Sequence, residues 1–178
     1  MNLDKVEILI LRNLLYNEEY VRKVIPFIKP EYFEDPNQKI IFEETIKFVQ
    51  EYNQPATKEV LCIEIEKRTD INDTTFKEVT QLISYLEDDP TDFAWLVNTT
   101  EKWCRDRAIY LALMESIQLA DGKDEQKGRD AIPSILSNAL AVSFDTHIGH
   151  DYLLDYEERY ESYHRKENKI EFDLEYFN

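Results

Sequence analysis

The chain predicts an all-α fold, and three observations carry that expectation. Apolar residues recur mostly at intervals of three and four, the period of a helix face rather than the alternation of a strand. Only three glycines, Gly122, Gly128 and Gly149, interrupt the 178 residues. Most apolar runs are preceded by a short polar residue able to cap a helix, such as Asn17, Thr57 or Asn72. The architecture expected is a small helical globular domain over residues 1–90, a long antiparallel helical hairpin over 91–144, a flexible linker at 145–150 and a separate linker helix over 151–167.

Asn2 can cap the first helix, whose run LDKVEILILRNLLY is apolar nearly all round, the pattern of a buried element. Asn17, followed by Glu18 and Glu19, opens a second helix, and Pro26 and Pro30 turn the chain through KPEYFEDP. Asp35 and Pro36 start a third, because proline at the first helical position gives up a donor that has no partner there anyway. Its inward face is Ile40, Ile41, Phe48, Val49 and Tyr52. Thr57 caps a short fourth helix and Asn72 a fifth, in which Phe76, Val79, Leu82, Ile83 and Leu86 keep helical spacing. EDDPTD ends this part near residue 90.

From there no proline or glycine occurs before Gly122, so a single helix of about thirty residues, roughly 45 Å long, is expected to protrude. Gly122 closes it. After a polar tip, Asp130 is expected to cap the returning helix, with Ile132, Ile135, Leu136, Ala139, Leu140 and Ser143 on one face. With Ile109, Leu113 and Ile117 on the long arm, the hairpin has more apolar face than two helices can cover, which predicts that a second copy packs there. The hairpin interface residues expected are Trp103, Ile109, Leu113, Ile117, Ile132, Ile135, Leu136 and Leu140. Trp95 and Trp103 read as packing anchors rather than platforms for stacked bases.

Beyond Gly149, residues 151–167 carry acids early and bases late, in accord with the helix dipole. Leu153, Tyr156, Tyr160 and Tyr163 form a stripe narrower than the face of a core helix and suited to a groove on something else. The last residues, NKIEFDLEYFN, alternate enough for a strand.

Composition limits the function. Hydrophobic residues are 43% of the chain, ample for a packed core. The 37 acids against 21 bases give a net charge of −16, which opposes direct DNA binding by this chain alone. No apolar run is long enough for a membrane span, and the first residues lack the pattern of a signal peptide, so a cytoplasmic protein is expected. Cys62 and Cys104 stand alone in helical patterns and read as reduced filler. There is no glycine-rich phosphate loop, so ATP has no evident site and no cofactor is expected in this chain. His147 and His150, with Asp145 and Asp151, could offer ligands to zinc or manganese in a small metal-dependent enzyme, but the glycine between them and the lack of a distant fourth ligand favour a solvent-exposed hinge.

Several strings together resemble the hexameric DnaB-type replicative DNA helicases, in particular their T-even-like bacteriophage branch. These are Glu31, Tyr32, Phe33 and Glu34; Glu51 and Tyr52 with Pro55; DPTDFAWLVNTTEKW; Arg107 and Ala108; AIPSIL; and ALAVSFD. The similarity continues through Gly149, His150 and Asp151, then Asp155, Tyr156, Glu157, Arg159 and Tyr163, and spans essentially all of the chain. Each string is only moderately specific, and their order and spacing carry the resemblance. It implies a collar made by the N-terminal domain and hairpin, followed by the linker helix. Residues 168–178 resemble the stretch ahead of a RecA-like ATPase domain, absent here, where ATP and Mg would act. The resemblance further implies a homohexamer, a primase and a helicase loader docking on the collar, single-stranded DNA passing through the ring, and location in the cytoplasm of an infected bacterial host. In related helicases the linker helix docks on the ATPase domain of the neighbouring subunit, and the tyrosine stripe fits that role; folding back onto its own domain is the alternative. A stand-alone adaptor that binds a helicase or primase is the rival reading of the whole chain.

Overall fold

A computed structural model describes residues 3–122 and 128–144. Within them the chain is all-α: α1 (Leu3–Tyr16), α2 (Glu18–Val24), α3 (Pro36–Tyr52), α4 (Lys58–Glu66), α5 (Asp73–Tyr85), α6 (Phe93–Ala120) and α7 (Ile132–Leu140), with 3-10 turns at Pro30–Tyr32 and Arg129–Ala131. The expected linker helix, its stripe of Leu153, Tyr156, Tyr160 and Tyr163, the closing strand, the histidine pair and the Asn2 cap lie outside the described residues.

Local chemistry sets most boundaries. The side chain of Asn17 accepts from the Tyr20 N–H, Asp35 from Asn37, Thr57 from Val60 and Asn72 from Thr75. Each satisfies a donor that the first helical turn leaves unpaired. Asp92, which the sequence pattern passes over, does the same for Trp95 at the start of α6. Gly122 sits at φ +70°, the left-handed conformation that closes a helix and that a side chain would strain. The expected Asp130 cap is corrected. A 3-10 turn ending at Ala131 precedes α7, with no side-chain cap, and Pro133 enters where its missing N–H costs nothing. The Asp130 carboxylate lies instead over Gly128, its Oδ1 2.2 Å from where a Cβ would stand, so residue 128 has no room for a side chain unless Asp130 moves.

The core is filled by Ile10, Leu11 and Leu14 of α1, Ile41 and Phe42 of α3, Leu61 and Ile65 of α4, Val79 and Ile83 of α5, and Leu96 and Cys104 of α6. The inward face of α3 therefore turns on Ile41 and Phe42. Tyr52 is 54% exposed and its ring packs at a tilt against Phe48, 4.5 Å between centroids, which corrects its expected burial. The first half of α6 is threaded into this core. Leu96, Thr100, Trp103 and Arg107 are buried, and Thr100 shares a 2.6 Å hydrogen bond with the Tyr20 hydroxyl. The two tryptophans have opposite fates: Trp103 anchors the core against Tyr32 and Phe33, whereas Trp95 is 51% exposed. Eight residues at about 100° each put them about 80° apart around the helix, enough to separate core from solvent.

Candidate assembly surface on the helical hairpin

Beyond residue 107 the two sides of α6 differ in kind. One side presents Ala108, Ala112 and Ser116, small residues four apart, and then Leu119, all buried. Small side chains let another helix approach closely, and α7 packs along this row with Ala139 as its buried contact and Ile135 and Leu136 half-buried beside it. Ser116 keeps its hydroxyl satisfied by donating to the Ala112 carbonyl at 2.7 Å. Past α7, Phe144 is buried and stacks on Phe27 at 4.6 Å, which fixes the end of the hairpin to the globular core.

The other side carries Tyr110, Leu113, Met114 and Ile117, between 42% and 55% exposed. Spacings of three, one and three put all four on one continuous strip of the helix surface. Of the hairpin residues expected at an interface, Leu113 and Ile117 belong to this strip. Leu140, 65% exposed on α7, is also open to a partner and does not share the inward side of Ala139. Ile109, Ile135 and Leu136 are half-buried against the chain's own core, and Ile132 is half-buried. Trp103 is a correction: at 3% exposure it has no surface to give a partner. Tyr110 and Met114 are the members that the sequence reading missed. Their signal was present, because 110, 113, 114 and 117 follow a helical stripe with no charge in it.

The strip is supported from beneath. The Arg107 guanidinium lies under the Tyr110 ring, 5.1 Å from its centroid, and its Nε donates to the Tyr32 carbonyl at 2.6 Å while Nη1 pairs with Glu34. Between the Pro30–Tyr32 turn, α6 and α7 runs a groove of about 600 Å³, lined by Tyr32, Leu111, Met114 and Ile135 and also by Lys29 and Glu31, so a mixed apolar and polar surface continues around the helix edge.

The hairpin is also electrostatically unlike the rest of the chain. On α6, Glu101, Asp106 and Glu115 are balanced by Lys102, Arg105 and Arg107, and α7 has no charged residue. Arg105 further fixes the base of the hairpin by pairing with Glu101 and donating to the Val142 carbonyl at 3.1 Å. In a chain of net charge −16, two copies can therefore meet along α6 and α7 without bringing most of their excess acids together.

Titratable groups here are kept neutral by burial rather than activated. Burial pushes the Cys104 thiol and the Tyr20 phenol well above their ordinary values, so neither is a nucleophile or base near neutrality. No cluster of three or more potential metal ligands occurs among the described residues, and no described helix is long and apolar enough to cross a membrane.

The family model of the DnaB-like helicase N terminal domain matches residues 2–98, from α1 into the core-embedded part of α6. The chain is 35% identical to the "DnaB-like replicative helicase" of Enterobacteria phage T4, over 96% of its own length and 37% of that protein's. The family match covers more than half of the chain, and the relative extends the similarity through the hairpin. An all-α domain with these helices, matched over this length, belongs to the family of DnaB-like helicase N-terminal domains.

Proposed function

We propose that this chain is the collar and linker portion of a replicative DNA helicase, in which the α6–α7 hairpin joins copies into a homohexameric ring. The observation that carries this reading is the exposed strip of Tyr110, Leu113, Met114 and Ile117 on α6, a helix whose own charges balance. A monomer gains nothing by exposing four large apolar side chains in a row, whereas symmetry-related copies bury them together. Residues 151–167 couple neighbouring subunits through Leu153, Tyr156, Tyr160 and Tyr163. ATP and Mg are used by a motor domain elsewhere in the full-length protein, which passes single-stranded DNA through the ring. Primase and loader dock on the collar.

The double variant Leu113→Asp, Ile117→Asp tests the assembly reading in the full-length protein. Both sites are about half exposed and lie near the end of α6, so two aspartates are expected to cost about 1 to 2 kcal/mol and leave the domain folded, while ring formation and ATP-driven unwinding are lost together. Intact rings that unwind like the parent would overturn it. Changing Tyr156 and Tyr160 to alanine is expected to leave the melting of the 1–144 portion unchanged, weaken the ring by about 1 to 3 kcal/mol per anchor, and uncouple hydrolysis from unwinding. Full-length variants that are as stable and active as the parent would remove the stripe from this role.

A further inference from the structure

The loop from Lys29 to Asp35 is held by two charged groups, Glu7 beneath it and Arg107, which also supports the Tyr110 ring. Glu7, on α1, is fully buried in a helix otherwise packed with leucine and isoleucine. Its Oε1 accepts the Glu34 N–H at 3.4 Å, and its Oε2 has no hydrogen-bond partner. The Trp103 indole N–H acts on the same carboxyl, but no hydrogen bond of ordinary geometry closes between them. On the other side of the loop, Arg107 grips the Tyr32 carbonyl and the Glu34 carboxylate. Glu34 is thus bonded twice, through its N–H to Glu7 on α1 and through its side chain to Arg107 on α6.

The surroundings make the charge on Glu7 consequential. Burial raises its pKa to about 7; the Glu34 N–H opposes this, the nearby Glu34 carboxylate adds to it, and Arg107 and Trp103 oppose it. Of the other elements packed on α1, α2 directs the Tyr20 hydroxyl to Thr100. On α3, the amide of Gln38 donates to Asp35 while Glu43 and Glu44 are taken up by Arg68. Arg107 is therefore the cation that acts on Glu7, and its guanidinium is already engaged by the Tyr32 carbonyl and the Glu34 carboxylate.

We propose that Glu7 is a proton-operated catch on this loop: neutral, it is tolerated beneath the closed loop, where its Oε2 is buried without a partner; ionised, it is denied water there, and opening of the loop is favoured. Lys29, Glu31 and Tyr32 of the same loop line the groove beside the hairpin, so the catch acts on the edge of the assembly surface.

Amide hydrogen exchange of Glu34 in the 178-residue chain, corrected for the intrinsic rate, reads the catch directly. Protection is expected to fall about tenfold between about pH 6 and about pH 8, because an opened loop frees the carboxyl to ionise in water. In Glu7→Gln, which keeps the shape without the charge, the change is expected to stay under about twofold. A flat profile in the parent, or an undiminished pH dependence in Glu7→Gln, overturns the proposal. If Glu7→Gln does not fold, the carboxyl carbon of Glu7 followed by NMR in the parent decides instead. A midpoint near neutrality supports the catch, and one in the ordinary carboxylate range overturns it.

Discussion

Replacing Arg107 with alanine is expected to lower the unfolding free energy by about 3 kcal/mol. The cost has two sources. The Tyr32 carbonyl, which now accepts from Arg107 Nε at 2.6 Å, is left without that donor in a buried setting. The aliphatic stem of Arg107, itself buried between the core and the Tyr110 ring, is lost as well. Glu34 contributes little, because its side chain is 46% exposed and water can replace the guanidinium. Arg107→Lys keeps a charge but not the planar fork that reaches carbonyl and carboxylate together, so it is expected to recover less than half of the loss. Urea denaturation of both variants at neutral pH checks this, and a loss for Arg107→Ala below about 1 kcal/mol would contradict the two-source account.

Glu7→Gln is expected to act in the opposite direction and to depend on pH. An acid whose pKa is raised from 4.5 to about 7 on folding keeps a proton that the unfolded chain has already released. Its contribution is most favourable below about pH 4.5, declines as pH rises towards 7, and levels off above that, with a ceiling of about 3 kcal/mol for the whole shift. Glutamine removes the decline. The variant should exceed the parent by about 1 to 3 kcal/mol near pH 8, and by clearly less near pH 5.5, with the lower point kept away from the isoelectric point of 4.6. Parallel denaturation curves at the two pH values check this; an equal difference at both would show that folding does not raise the Glu7 pKa.

The parts of the fold legible in the sequence were those set by chemistry within a few residues. Asn17, Asp35 with Pro36, Thr57, Asn72 and Gly122 each act on backbone groups of their own turn, and each marks a helix end where expected. Burial of individual side chains was less legible because it depends on what lies across the gap. Glu7 passed unnoticed among apolar neighbours, since nothing local reveals that Glu34, from 27 residues away, closes over it. Trp103 and Trp95 look alike in the sequence, but only Trp103 meets Tyr32 and Phe33. The exposed apolar strip was half legible: Leu113 and Ile117 were expected on an apolar row of the long helix, whereas Tyr110 and Met114 were not set in register with them. The inward side of α7 was drawn too wide, because Leu140 follows Ala139 directly and so points elsewhere on a short helix.

The central claim is that the hairpin strip joins copies of this chain, and the mass of the chain in solution tests it most directly. Measured over a concentration series, the parent is expected to rise to at least twice the 21.3 kDa of the monomer. Leu113→Asp with Ile117→Asp should remain a folded monomer throughout. A parent that stays at the monomer mass at the highest concentration reached, or a double variant that assembles as the parent does, would contradict the assignment of the strip as the assembly surface.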